Sequence, residues 1–153
     1  MCILAPGHSL AQDSEEALVK LDLTQAHSVY AAGASYPMAL SINIKQGYHI
    51  NSTQPESPEL VPTRLTLLNA PTGISLAKYD VPPVQYHQMP DEEEPWAVWS
   101  GNIKFEPVVE IAKSVKPGKY ELAYQLFYQA CDDHICQMPT TVELGFILEV
   151  TEN

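Results

Sequence analysis

Two strictly alternating apolar runs near the end of the chain constrain its fold more than any other feature. The first run places an aromatic or aliphatic residue at every second position from Tyr120 to Tyr128, and the second does so from Val142 to Val150. Successive side chains of a strand point to opposite faces, so each run predicts a strand that buries one side. A turn joins the two runs, and we therefore expect them to pair as an antiparallel hairpin.

Shorter extended segments precede this pair, and no segment has a helical period. We expect strands at residues 17–23, 28–32, 37–44, 48–51, 64–68, 74–79 and 98–111, the last interrupted at Pro107. A polar loop is expected at 52–60, and a long irregular, proline-rich loop at 80–96. Many short strands with frequent turns predict an all-β protein, an immunoglobulin-like antiparallel β-sandwich.

The length and charge of the chain limit its class. With 153 residues, of which 45% are hydrophobic, it is long enough to bury the core of one domain. No run approaches the ~20 apolar residues of a membrane span. The net charge of −11 argues against nucleic acid or an anionic membrane surface as a partner.

The first eleven residues are typical of the end of a secretory signal peptide. Met1–Ala5 is apolar, a Pro-Gly pair follows, and small residues stand at Ser9 and Ala11, the two positions that a signal peptidase reads. We predict that residues 1–11 are a signal remnant and that residues 12–153 form a single exported domain. Cleavage after Ala11 would remove Cys2 and leave one cysteine pair, as an oxidising compartment predicts.

That remaining pair, Cys131 and Cys136, lies at the turn between the two alternating runs. If the runs form a hairpin, residues 132–135 are a four-residue loop, and the two cysteines face each other closely enough to form a disulfide. A disulfide that closes so short a loop adds only about 2 kcal/mol of stability. The pair therefore suits reversible electron exchange as well as a purely structural role, and the residues alone leave both open.

The charges around the pair do not favour a reactive thiolate. A nucleophilic cysteine needs positive surroundings or a helix N-terminus. Here Asp132 and Asp133 follow Cys131 directly, and His134 helps only when it is protonated. We expect the pair to react slowly by itself and to exchange once it is docked against a partner.

A metal site is an alternative use of the same residues. Cys131, His134 and Met138 have the spacing of a blue-copper loop, and His49 would be the second imidazole. A zinc site is a variant with ligands drawn from Cys131, Cys136, His49, His87 and His134. A free thiol beside a copper thiolate invites oxidation of the two cysteines, so we expect no bound metal or other cofactor.

Five short stretches within residues 17–150 form a further pattern. They are Tyr128–Cys131 followed by Cys136 and Pro139, Gly47–Ser52, Val61–Thr63, Trp99–Gly101 and Lys116–Tyr120. Together they resemble the amino-terminal periplasmic domain of the membrane thiol–disulfide reductase DsbD. The resemblance implies an immunoglobulin-like sandwich that carries a redox disulfide, works in the periplasm and needs no cofactor.

The resemblance also implies a function for the pair. In that family the domain relays electrons between thioredoxin-fold proteins, from a thioredoxin-like donor to disulfide isomerases and cytochrome c maturation proteins. It would be a thiol–disulfide oxidoreductase of the protein-disulfide reductase type. By analogy Cys136 forms the mixed disulfide with the partner and Cys131 resolves it. The alternative is a non-catalytic immunoglobulin-like interaction module in which the disulfide is structural.

The residues expected to support the pair follow from the same resemblance. Residues 88–97, here called the cap segment, match the family's loop that shields the cysteines, with Trp96 as its covering aromatic. His49 and Asn51 fall where better-known members carry tyrosines. The cysteine spacing is one residue shorter than in those members. The candidate supporting residues are His49, Asn51, Trp96, Asp132 and His134.

Overall fold

The structure is a computed structural model, and it describes residues 17–152; the predicted signal remnant and Cys2 lie outside that range. The described part of the chain forms thirteen strands and no helix. The strands are β1 (Val19–Thr24), β2 (Tyr30–Ala31), β3 (Ala34–Pro37), β4 (Ala39–Ile44), β5 (His49–Asn51), β6 (Arg64–Leu68), β7 (Ile74–Asp80), β8 (Gln85–His87), β9 (Trp96–Trp99), β10 (Asn102–Ile111), β11 (Gly118–Tyr128), β12 (Ala130–Cys131) and β13 (Thr140–Thr151). Residues 17–152 therefore contain no helix that could cross a membrane.

The strands form two main sheets and one small one. The first main sheet has the order β1-β4-β10, and β3 and β7 flank the second half of β10. The second has the order β2-β13-β11-β6, and the small sheet has the order β12-β5-β9-β8. Neighbouring strands are antiparallel except for the short parallel pair of β2 and β13. This confirms the predicted antiparallel β-sandwich.

The hairpin of β11 and β13 is the longest strand pair of the sandwich. It runs without interruption from Gly118 opposite Val150 to Tyr128 opposite Thr140. On β11 the buried face carries Leu122, Tyr124 and Leu126, as the alternation predicted. One buried face per strand fixes the register, because a slip by one residue would turn every apolar side chain towards solvent.

The core between the sheets is built around large aromatic side chains. Trp99, Phe105 and Tyr124 are fully buried. The ring of Phe105 lies 5.3 Å from that of Trp99 in an edge-to-face arrangement, and 5.7 Å from the stacked ring of Tyr79. Trp99 Nε1 donates a hydrogen bond to the Pro83 carbonyl at 3.2 Å. Because Trp99 ends β9, it anchors the small sheet to the core of the sandwich.

The expected interruption at Pro107 is wrong. The chain breaks earlier, between β9 and β10, where Gly101 adopts a positive φ of 74°. Pro107 lies inside β10, and its carbonyl accepts a hydrogen bond from the Met38 N–H at 2.8 Å. A register shift follows at Val108 and Val109, and such irregularities are where strands tolerate proline.

The loop expected at 80–96 is also not wholly irregular. Residues Gln85–His87 form β8, which pairs antiparallel with β9 so that His87 lies opposite Trp96. The sequence between the prolines has no alternation, because β8 is an edge strand whose pairing, rather than a buried face, holds it in place. β3 was likewise not predicted as a separate strand. The pairing of β8 with β9 brings residues 85–96 to the end of the sandwich that carries the cysteines.

Candidate functional site

Cys131 and Cys136 are joined by a disulfide at the end of the sandwich. Their Cα atoms are 4.0 Å apart, and the two residues form an antiparallel bridge across a four-residue loop. The opposed placement predicted from the spacing is confirmed. The two sulfurs differ in access, because Cys131 is 0% exposed whereas Cys136 is partly exposed.

The strand that carries Cys131 departs from the predicted hairpin. Pairing of β11 with β13 ends at Tyr128, and Ala130 and Cys131 form β12, which pairs with β5. Cys131 then lies directly opposite His49. The other edge of β12 remains bonded to the returning chain, since Gln137 N–H donates to the Ala130 carbonyl at 2.8 Å. The disulfide therefore sits between the small sheet and the start of the return to β13.

The loop between the cysteines (residues 132–135) is closed by its own hydrogen bonds. The Asp132 carboxylate accepts from the backbone N–H groups of His134 and Ile135, both at 2.7 Å, and the Asp132 N–H donates to the Ile135 carbonyl at 3.0 Å. The two backbone N–H donors hold the pKa of the Asp132 carboxyl below its usual value. The carboxylate form thus closes the turn at neutral pH. Its contribution to the stability of the folded protein is lost as pH falls through that lowered pKa.

A histidine pair lies beside the disulfide. His49 is only 4% exposed, and its ring centre is 4.8 Å from that of His87. His87 Nε2 is 2.7 Å from Asp133 Oδ1, so this contact ties β8 to the cysteine loop. Burial lowers the pKa of His49, and His87 lowers it further, while Asp133 and Asp132 oppose the shift. The net effect favours the neutral form of the His49 ring.

Asn51, two residues further along β5, is fully buried and ties this strand to the chain that follows. Its Nδ2 donates to the Val61 carbonyl at 2.9 Å, and the Thr63 hydroxyl donates to the Asn51 carbonyl at 2.6 Å. These bonds fix the position of β5. Asn51 therefore supports the strand that carries His49.

The cap segment borders the disulfide. Trp96 is partly buried and its ring lies 6.4 Å from that of His49, edge to face. A cleft of about 300 Å³ separates the cap segment from the cysteine loop, and Trp96, Met89, Ile135 and Cys136 are among its lining residues. The exposed His134 lines the same cleft. Cys136 is thus reached through this cleft.

Large apolar side chains next to Cys136 in the sequence, and one on β8, are exposed. Ile135 precedes Cys136 directly and is more than half exposed, and Met138 follows two residues later and is 83% exposed. Tyr86 on β8 is exposed as well. Two of these side chains, Ile135 and Met138, thus lie within two residues of Cys136 along the chain.

The arrangement does not assemble the metal sites considered above. Both sulfurs are in the disulfide, so neither cysteine offers a thiolate ligand. Met138 extends into solvent, whereas Cys131 is enclosed. Within residues 17–152, no group of three or more His, Cys, Asp or Glu side chains is placed to hold a metal ion.

The histidine–carboxylate contact was missed from the sequence. His87 entered only as a zinc candidate, and Asp133 only as an unfavourable charge. The two residues are 46 positions apart, and β8 brings them together although it has no local signal of its own. A prediction of β8 would have been needed to find the contact.

Comparison with known proteins places the fold. Neither a protein-family model nor a curated protein sequence matches the chain. Among solved structures it is similar to the reduced DsbD amino-terminal domain of Neisseria meningitidis, with a TM-score of 0.50 and 13% identity over 73% of this chain and 77% of that one. It is also similar to the amino-terminal periplasmic domain of ScsB from Proteus mirabilis, with a TM-score of 0.55 and 10% identity. That match covers 86% of this chain and 46% of the ScsB chain.

These similarities define the class of the fold, a β-sandwich. More particularly, the chain has the fold of the DsbD and ScsB amino-terminal domains. The resemblance inferred from the sequence is thereby confirmed at the level of the fold.

Proposed function

We propose that this chain exchanges its Cys131–Cys136 disulfide with the cysteine pairs of thioredoxin-fold proteins, as an electron relay of the protein-disulfide reductase type. The observation that carries the proposal is the unequal access of the two sulfurs. Cys136 borders an open cleft and Cys131 is fully buried, so a partner reaches only Cys136. The fold shared with DsbD and ScsB domains supports the same function.

The exchange proceeds in two displacement steps. A thiolate of a reduced partner attacks Sγ of Cys136, the Cys131–Cys136 bond breaks, and Cys131 leaves as a thiolate that takes up a proton. The thiolate of the partner's second cysteine then attacks the sulfur of the partner's first cysteine in the mixed disulfide. Cys136 leaves as a thiolate and is protonated in turn. Two electrons and two protons thus pass to this chain, and an oxidised acceptor receives them by the reverse steps.

Docking provides the conditions that the free site lacks. Asp132 and Asp133 follow Cys131 directly, and their negative charges disfavour the thiolate form of Cys131. A partner that covers Ile135, Met138 and Tyr86 would exclude water from the cleft and bring its own cysteine to Cys136. Exchange is therefore gated by docking rather than by intrinsic reactivity.

The compartment and the partners belong to the same proposal. The ScsB domain of similar fold is described as periplasmic, and an even cysteine pair suits an oxidising compartment. We assign this chain to the periplasm. Its donor would be a thioredoxin-like protein, and its acceptors would be disulfide isomerases or cytochrome c maturation proteins.

Reduction of the disulfide is expected to leave the protein folded. The loop closes on hydrogen bonds from Asp132 and Gln137 that do not need the S–S bond. The loss should be about 2 kcal/mol of unfolding free energy, the amount that closing so short a loop provides. Urea unfolding of the oxidised protein, of the reduced protein and of the variant in which both cysteines are alanine measures it.

The double alanine variant controls for effects of the reductant. It should match the reduced protein in stability to within about 1 kcal/mol. It should also share the near-UV circular dichroism of the reduced protein, since neither contains an S–S bond. Cooperative unfolding upon reduction would instead favour the alternative, a non-catalytic interaction module that depends on a structural disulfide.

A further inference from the structure

His49 lies in a position to act on the buried sulfur. It is directly opposite Cys131 in the antiparallel pair of β5 and β12. Directly opposed residues project to the same face, with Cβ atoms about 4.5–5.5 Å apart. His49 is 4% exposed and Cys131 is 0% exposed, so water has little access to either. A proton that leaves or reaches Cys131 therefore needs a protein group to carry it.

The ring of His49 has an unused nitrogen. Its Nε2 is buried and has no hydrogen-bond partner among residues 17–152. A buried polar atom without a partner is costly, and in a native protein it needs an explanation. In the disulfide form Cys131 carries no proton, whereas in the dithiol form it acquires an S–H group. A base that is unpartnered only in the oxidised state fits this change.

The other ionisable groups near the sulfur are already engaged or lie outside. The Asp132 carboxylate accepts two loop N–H groups, and Asp133 is paired with His87. His134 is exposed on the cleft side. Among these groups, only His49 is buried with a ring nitrogen, Nε2, that has no hydrogen-bond partner in residues 17–152.

We propose that His49 is the acid–base residue for Cys131, an inference that rests on the proposed exchange function. When the dithiol reduces a partner, Cys136 first forms the mixed disulfide. The Cys131 thiol then gives its proton to the His49 imidazole, and its sulfur attacks Sγ of Cys136. The Cys131–Cys136 bond forms, and the partner's sulfur leaves with the electron pair of the broken bond. In the opposite direction His49 returns the proton to Cys131 as it leaves.

The groups packed around His49 suit this role. His87 lies against its ring, Trp96 contacts its edge, and the Asp132 and Asp133 carboxylates act on it through space. Burial, and then His87, lower the pKa of His49 from its usual value, which favours the neutral ring that can accept a proton. Once protonated, the ring gains from the nearby Asp133 charge. His87 and Asp133 are thus positioning residues, and His49 carries the proton.

The test uses dithiodipyridine, a small aromatic disulfide, and the reduced full chain carrying Cys2→Ala, so that Cys131 and Cys136 are its only thiols. Attack by Cys136 releases one thiopyridone in a phase whose rate depends on reagent concentration. Attack by Cys131 releases the second in a phase whose rate does not. We expect His49→Gln to slow the second phase roughly 10²-fold at pH 7 and to leave the first phase unchanged. The matched control is His27→Gln, because His27 contacts Tyr30 and Tyr36 instead.

The pH profile separates acid–base chemistry from a merely structural role. In the protein with His49, the rate of the second phase should rise with pH and level off above the pKa of His49. In His49→Gln the same rate should rise about tenfold per pH unit through neutrality, because it then follows the fraction of Cys131 thiolate. Asp133 is exposed, and Asp133→Asn removes a charge that raises the pKa of His49. In this variant the plateau of the second-phase rate should therefore begin at lower pH. This second variant decides the matter if His49→Gln does not fold.

A slowing of less than about tenfold in folded His49→Gln overturns the inference. If that variant does not fold, an unmoved plateau in Asp133→Asn overturns it. Dithiodipyridine is not a protein partner, so this outcome is independent of whether a thioredoxin-fold protein reacts. Failure of the proposed function would appear separately, as a chain that completes both phases yet exchanges with no such protein.

Discussion

Cys136 is expected to couple to a thioredoxin-fold protein at least about tenfold faster than Cys131 when each is the only cysteine of the pair. The reason is access, because Cys136 lines the cleft beside the cap segment whereas Cys131 is enclosed by β5 and the cysteine loop. Cys131→Ser and Cys136→Ser proteins, both with Cys2→Ala, are each activated with dithiodipyridine at the one remaining thiol. Each is then mixed with a thioredoxin-fold protein whose second active-site cysteine is serine.

The mixed disulfide is quantified on non-reducing gels over time. Denatured samples of both variants serve as the control, since unfolding removes the difference in access and should make the two rates alike. Equal rates in the folded proteins, or faster coupling through Cys131, would contradict the assignment of Cys136 as the residue that a partner meets.

Trp99→Ala is expected to lower the unfolding free energy by about 3–5 kcal/mol, the usual cost of truncating a large buried aromatic residue. Trp99 is 0% exposed, packs against Phe105 at 5.3 Å between ring centres, and donates to the Pro83 carbonyl. Its loss leaves a cavity and detaches the end of β9 from the core. Urea unfolding, followed by circular dichroism, measures the change.

Trp96→Ala is the matched control, because Trp96 begins the same strand but is only partly buried. It should cost about 1 kcal/mol, as substitutions outside the core usually do. Equal losses for the two tryptophans would show that β9 is not anchored through Trp99.

Strands with a buried face were predictable from the sequence. The alternation of Tyr120–Tyr128 and Val142–Val150 placed β11 and β13, and Arg64–Leu68 is found as predicted. β8 was not predicted, because an edge strand of three residues held by pairing with β9 leaves no periodic signal. Pro107 misled for a related reason, since its place in β10 depends on partners distant in sequence.

For the candidate site too, one part was predictable from the sequence and another part was not. The spacing of Cys131 and Cys136 was sufficient to predict two opposed cysteines. The place of His49 opposite Cys131 was not, since it requires β12 to leave the hairpin and pair with β5. The contact between His87 and Asp133 depends on β8. Contacts within a loop join residues that are close in the sequence. The side chains that surround the loop are brought there by the pairing of strands that are distant in the sequence.

Redox titration of the Cys131–Cys136 pair tests the central claim most directly. The wild-type protein is equilibrated in dithiol–disulfide buffers of known potential, and the fraction oxidised is read by alkylation of free thiols. The proposed relay predicts a potential among those of catalytic couples, about −270 to −120 mV, and electron exchange with a reduced thioredoxin-fold protein. A potential below about −300 mV, the range of structural disulfides, without such exchange, would contradict it.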